Sequence, residues 1–207
     1  METKVLNQNG SEVWTIELNE NVFGLEINEG LIQRALLLQL ANARINIAHT
    51  KNRWERRGST RKIYKQKGTW RARMGSNRSP VRKGGWVAFG PRNNQNFTIA
   101  MNKKERQKAL FCTLSSKVAS WKLVVVKAIE MSEVKTKLAH AIYASLPLGK
   151  TSLVALGQRN VNVEKSTENL KSIKLILSSY LNIADLLKYE TLVLSEDVIT
   201  QLNATAS

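Results

Sequence analysis

Cysteine, histidine and acidic residues are scarce in this chain, and each scarcity closes off a class of function. The single Cys112 cannot form an internal disulfide, and with only His49 and His140 beside it no four-ligand zinc set can be assembled. A reducing compartment is therefore implied, and no metal or cofactor is expected. No run reaches the roughly 18 apolar residues that a membrane span needs. The opening METKVLNQNGSEVW has neither an apolar signal core nor an Arg-rich amphipathic transit pattern, so a cytoplasmic location and no membrane partner are expected. Acids number 16 against 32 Lys and Arg, which leaves a net charge of +16 and a pI near 10.2. An excess of that size calls for a polyanionic partner, nucleic acid first among them. The acids that exist are scattered, and the two histidines stand 91 positions apart, so no acid–base pair or other catalytic constellation is legible and an enzyme is not expected.

What the chain does have is a sharply uneven distribution of cations. Between Lys51 and Arg92 stand fourteen Lys or Arg against the single Glu55, so +13 of the net charge falls in 42 residues. Both aspartates, Asp185 and Asp197, lie near the opposite end. The segment KNRWERRGSTRKIYKQKGTWRARMGSNRSPVRKGGWVAFGPR has no apolar period and is punctuated by eight Gly and Pro positions, so it cannot bury a core of its own. Charge runs are commonly solvated faces or disordered tails. This one is internal, interleaved with Trp54, Tyr64, Trp70 and Trp86, and richer in Arg than in Lys, nine of fourteen. Arg meets phosphate oxygens bidentately and stacks on bases, and glycine lets backbone approach RNA closely. A specific RNA fit is the stronger reading. Run out and back at ~3.3 Å per residue, the segment could reach roughly 70 Å.

The remainder reads as one α/β domain over 1–207, with an extended loop at 44–100 inserted in it. NEGLIQRALLLQLANAR places Leu31, Ala35 and Leu38, and Ile32, Leu36 and Leu40, at helical spacing behind a cap at Asn28. MNKKERQKALFCTLSSKVAS is a second amphipathic helix, with Cys112 packed as a small hydrophobe. Four β-rich runs follow, at 122–126, 152–156, 173–177 and 191–194, separated by helix-like stretches. Asn182 with Asp185 has capping-box-like spacing, and Ser195 is read as the cap of the last helix. The fold class expected is a three-layer α/β/α sandwich with a mostly parallel sheet of about four strands, plus the long basic loop.

One motif invites a nucleotide. Gly149, Lys150 and Thr151 match the end of a phosphate-binding loop, but the first glycine of that motif is missing, Ala144 standing in its place, and the triplet leads into a strand instead of a helix. An RNA-modifying or nucleotide-using α/β enzyme is therefore the weaker alternative, and a free RNA-binding regulator is a third.

The stretch from Arg56 to Pro91, with KQKGTWRAR and GSNRSPVRKGGWVAFGP, resembles the long loop of the bacterial-type L-four family of large-subunit ribosomal proteins. FGLEINEGLIQRALLLQLANARINIAHTK before it, MNKKERQKALFCTLSSK after it and NIADLLKYETLVLSEDVITQL near the end resemble the same family in the same order. The resemblance implies a structural constituent of the large subunit, on a cytoplasmic rather than an organellar ribosome. It would be a primary 23S-type rRNA binder that supports subunit assembly and translation, and its loop would line the peptide exit tunnel. Neighbouring ribosomal proteins, including the L-twenty-two family, and the nascent polypeptide would be further partners. The resemblance assigns rRNA contact to Arg53, Arg56, Arg57, Arg61, Lys62, Lys65, Lys67, Arg71, Arg73, Arg78, Arg82, Lys83 and Arg92. It puts the tunnel tip at Gln66, Lys67, Gly68, Thr69, Trp70 and Arg71.

The sequence departs from the expected family pattern in one respect: tryptophan stands where glycine is expected at Trp70 and Trp86, and also at Trp14, Trp54 and Trp121, which are all five tryptophans. Glycine offers positive φ and close RNA approach, whereas an indole is bulky and strained there. Two readings are open at this point: indoles that stack on bases, or UGA codons that the organism reads as glycine.

Overall fold

Short apolar runs bracketed by Gly, Ser and polar residues become strands when both faces of a sheet must be covered. The computed structural model describes residues 1–205, and four of its strands, β3 (Leu123–Val126), β4 (Ser152–Leu156), β5 (Ile173–Leu177) and β6 (Thr191–Ser195), fall on the four predicted runs. They are mutually parallel in the order β3-β6-β4-β5. Two further strands enlarge the sheet. β1 (Glu2–Leu6) pairs in parallel with β3, and β2 (Glu12–Glu17) closes an antiparallel hairpin on β1, giving six strands instead of about four, in the order β2-β1-β3-β6-β4-β5. The hairpin escapes a sequence reading because only Val5 of its eleven strand residues is buried, so no apolar run marks it. Its turn relies on Gly10, at φ +79°, where a Cβ would meet the Ser145 carbonyl oxygen at 2.3 Å.

Alternation along the strands divides the core into two layers. Val125, Leu153, Ala155, Leu192 and Leu194 face one side, with Val22 and Phe23 of α1 (Glu20–Phe23), Phe111 and Leu114 of α3 (Lys103–Ala119), Leu186 of α6 (Ile183–Lys188), and Val198, Ile199 and Leu202 of α7 (Glu196–Thr205). Val124, Val126, Val154, Leu156 and Val193 face the other, with Ala139 and Tyr143 of α4 (Thr136–Ser145) and Val163 of α5 (Val161–Thr167). This is the three-layer sandwich. A fully buried Val or Leu contributes about 1.5–3 kcal/mol, so these strands hold the sheet together with little help from surface charge.

α2 (Glu29–Ala43) begins where the sequence places it: the Asn28 side chain accepts from the Leu31 amide at 3.0 Å, and Ile32 and Ala35 bury against Ala109 and Cys112 of α3 and Ile183 of α6. Asn182 caps α6 by accepting from the Asp185 amide at 2.9 Å, while the Asp185 carboxylate accepts from the Asn182 side chain at 2.8 Å and from Lys174 at 2.6 Å. The expectation at Ser195 needs correction. β6 runs into α7 without a loop, Ser195 pairs with Val126 as the last residue of the strand, and its buried hydroxyl has no hydrogen-bond partner among the described residues.

The chain divides into two compact units, residues 1–41 with 99–207, and residues 42–98. The first contains the whole sandwich. Among the described residues no helix is long and apolar enough to cross a membrane.

Candidate nucleic-acid interface

The 42–98 unit has no fully buried residue among the described residues. Gly, Pro and charge leave nothing to collapse, and what organises the unit is a set of polar contacts between its outgoing and returning limbs, antiparallel at Lys62–Ser76 and locally parallel at Asn52–Val87. The Asn46 side chain donates to the carbonyls of Arg92 and Gln95, the Thr50 amide donates to Pro91, Asn52 bridges to Val87, Lys62 bridges to Ser76, and the Ile63 amide donates to Gly75. The Tyr64 hydroxyl donates to the Ala72 carbonyl. All these pairs centre between residues 68 and 71. The chain therefore folds back through 65–71, a stretch that includes the predicted tip residues Gln66, Lys67, Gly68, Thr69, Trp70 and Arg71.

Ten of the thirteen predicted rRNA-contacting cations are exposed: Arg53, Arg56, Arg57, Arg61, Lys62, Lys65, Lys67, Arg71, Arg73 and Lys83. Arg78, Arg82 and Arg92 are half-buried. Arg92 grips both carboxylate oxygens of Glu55, at 2.6 and 2.8 Å, and this hydrogen bond, with one from the Asn52 amide, holds the Glu55 carboxyl below the usual carboxylate range. Glu55 is the only acid in the basic segment, so its one ion pair joins the two limbs and leaves the remaining cations without an acidic partner in their own segment. Arg82 donates to Asn77, and the Arg78 Nε atom is buried without a partner. Arg53 and Arg56 stack on Trp54 and Trp86, at 4.4 and 3.6 Å.

Glycine serves close packing at two positions here: a Cβ on Gly85 would meet the Ser79 carbonyl oxygen at 2.0 Å, and one on Gly90 would meet Thr50 Oγ1 at 1.9 Å. Sequence reasoning passed over Phe89. It has φ +53°, its ring is fully exposed, and it borders a recess lined also by Arg53, Pro80, Val87 and Arg92. An aromatic ring held in a strained backbone and offered to solvent among cations is suited to a nucleobase. Only its place beside Gly90 and Pro91 in the sequence could have hinted at the geometry.

The nucleotide-like triplet fares differently. The Gly149 amide donates to Thr191 Oγ1 at 2.8 Å and the Lys150 amide to the Glu190 carboxylate at 3.2 Å, so an acid and a hydroxyl already take the amides a phosphate would need. The Lys150 amide and Lys122 hold the Glu190 carboxyl below its ordinary range, keeping that anion in place. His140 is exposed on α4, and His49 Nδ1 accepts from the Asn93 amide at 3.4 Å. Among the described residues no group of three or more His, Cys, Asp or Glu is placed to hold a metal ion.

Comparison with known proteins gives one family throughout. The family described as "Ribosomal protein L4/L1 family" matches residues 16–205. A protein named "Large ribosomal subunit protein uL4" from Dehalococcoides mccartyi is 42% identical over 202 residues, covering 98% of this chain and 96% of its own. Proteins of the same name from Lachnospira eligens and Lachnoclostridium phytofermentans are 43% and 40% identical, each covering 96% of this chain and 95% and 96% of their own lengths.

Proposed function

The chain belongs to the ribosomal protein L4/L1 family, and from that membership we propose that the 42–98 unit is the part that enters folded rRNA and lines the peptide exit tunnel. The protein is a structural, 23S rRNA-binding constituent of the large ribosomal subunit and not an enzyme. The observation that carries the proposal is a unit with twelve exposed cations, one acid already paired, and no buried residue of its own among the described residues.

The exposed cations, Arg53, Arg56, Arg57, Arg61, Lys62, Lys65, Lys67, Arg71, Arg73 and Lys83, neutralise crowded phosphates, and release of condensed counterions supplies most of the affinity. Arg92, through Glu55, ties the two limbs together beneath them. Phe89 stacks on a base. The fold-back at Gln66 to Arg71 stands nearest the nascent polypeptide and the loop of the L-twenty-two neighbour, on a cytoplasmic ribosome.

Limited proteolysis of the full chain, with and without 23S rRNA, tests the reading. Cleavage within 51–92 in the free protein and protection by rRNA are expected, while the sandwich resists in both. Equal cleavage with and without rRNA refutes it.

A further inference from the structure

None of the five tryptophans belongs to the buried core. That alone is unusual, since Trp is highly buried on average, but the backbone says more. Trp121 follows α3 and its cap Ser120; its φ is +57°, its amide donates to Val118 at 3.0 Å, and the Lys122 amide donates to Lys117 at 2.9 Å. Those two bonds, from the first residues past the cap to the second and third residues from the helix end, are the Schellman closure, whose left-handed position belongs to glycine because a Cβ there meets the neighbouring carbonyl. Nothing compensates at Trp121: the residue is 94% exposed. Trp70 repeats the pattern at the fold-back of the basic unit, with φ +51° two residues after Gly68 and complete exposure. Two of five tryptophans thus take up a conformation that only a few per cent of non-glycine residues adopt.

Of the other three, Trp14 and Trp54 are exposed and Trp86 is half-buried. Trp14 lies in β2 beside the irregularity in its pairing with β1, Trp54 is the third residue of the turn Asn52–Glu55, and Trp86 follows Gly84 and Gly85 directly. Their rings touch Lys127, Arg53 and Arg56, contacts that an indole finds readily on so basic a chain.

We infer that glycine, not tryptophan, occupies positions 14, 54, 70, 86 and 121 of the protein made in the cell, because the organism's ribosomes read UGA as glycine, whereas the tryptophans come from reading UGA as Trp. A single change of codon meaning accounts for all five positions at once. Phe89 has positive φ too, but no UGA codon encodes phenylalanine under either reading, so it stays an aromatic residue.

The test uses the chain from ribosomes of the cells that carry the gene. Tandem mass spectrometry of its peptides is expected to show glycine at all five positions, and the purified chain is expected to fluoresce as a protein whose only emitting residues are its four tyrosines. The gene is expected to carry UGA at all five positions. Tryptophan in a native peptide at any of them, or a UGG codon at any of them, overturns the inference.

Discussion

Replacing Trp121 by glycine and by alanine, in the full chain, separates the cost of the backbone from the fate of the indole. Trp121→Ala removes a ring that is 94% exposed and leaves a Cβ in the left-handed region, so its effect should stay within about 0.5 kcal/mol. Trp121→Gly also removes the Cβ. The left-handed conformation costs a non-glycine residue roughly 1–2 kcal/mol, so Gly should exceed both Ala and Trp by about that amount. For a cooperative unit of this size that is a rise in Tm of about 2–8 °C. The readout is far-UV circular dichroism under urea and heat, which follows the α3 and sheet signal and does not depend on the removed chromophore. Trp70→Gly provides the contrast. It relieves the same backbone strain, but in a unit with no buried residue among those described, so the cooperative transition of the sandwich should not move. If Trp121→Gly proved no more stable than Trp121→Ala, the left-handed position after α3 would carry no penalty and the reasoning from strain to glycine would fail.

Further outcomes follow from the charges and the exposed ring. Partial burial raises the Asp185 carboxyl, but hydrogen bonds from Lys174 and Asn182 outweigh it and leave the group below its ordinary value. A depressed acid contributes stability fully above its unfolded pKa of about 3.9 and loses it as pH falls through the folded value; Asp185→Asn should cost about 1 kcal/mol at pH 7 and flatten the acid limb of a stability profile, and an unchanged limb would refute this. Arg57→Gln with Arg61→Gln should leave Tm unchanged and reduce the slope of log K against log salt for rRNA binding by about 0.7–0.9 for every phosphate no longer neutralised; an unaltered slope would mean these side chains meet no phosphate. Phe89→Ala should weaken rRNA binding by about 1–3 kcal/mol, the worth of one stacked base, without lowering the stability of the free protein. A loss of stability with no loss of affinity would make the ring structural.

The sandwich was legible where burial is two-sided. LVVV, SLVAL, IKLIL and TLVLS announce themselves because both faces of each strand are covered. β1 and β2 did not, since an edge hairpin with one buried residue reads as ordinary polar sequence. Ser195 misled for a related reason: cap residues are recognised by type, and no residue type reveals that a strand will feed a helix with no turn between them. In the basic unit, charge and glycine pointed to the chemistry but not to the pairing. Nothing in the spacing of Glu55 and Arg92 points to an ion pair across 37 positions, because contacts between limbs depend on where the chain turns back.

That turn-back is opposed by the charges it gathers. Thirteen of the fourteen cations in 51–92 have no acid within their own segment once Glu55 has taken Arg92, and folding two limbs together brings them closer. Exposed like charges in water repel by about 1 kcal/mol at 4 Å and less beyond the Debye length, while the links between the limbs are surface hydrogen bonds worth about 0.5–1.5 kcal/mol each and one partly exposed ion pair, Arg92 with Glu55, of about 0–1 kcal/mol. Terms of similar size and opposite sign, with no buried apolar group to tip the sum, leave the free unit near balance between paired and open forms. Phosphate reverses the electrostatic sign without altering the hydrogen bonds, so the ladder from Asn46 to Tyr64 should close as rRNA surrounds it, and amide hydrogen exchange at Thr50 and Ile63 should slow. Raised salt without RNA should slow that exchange only in part, since screening removes repulsion but supplies no attraction; full protection by salt alone would refute the balance argued from these charges.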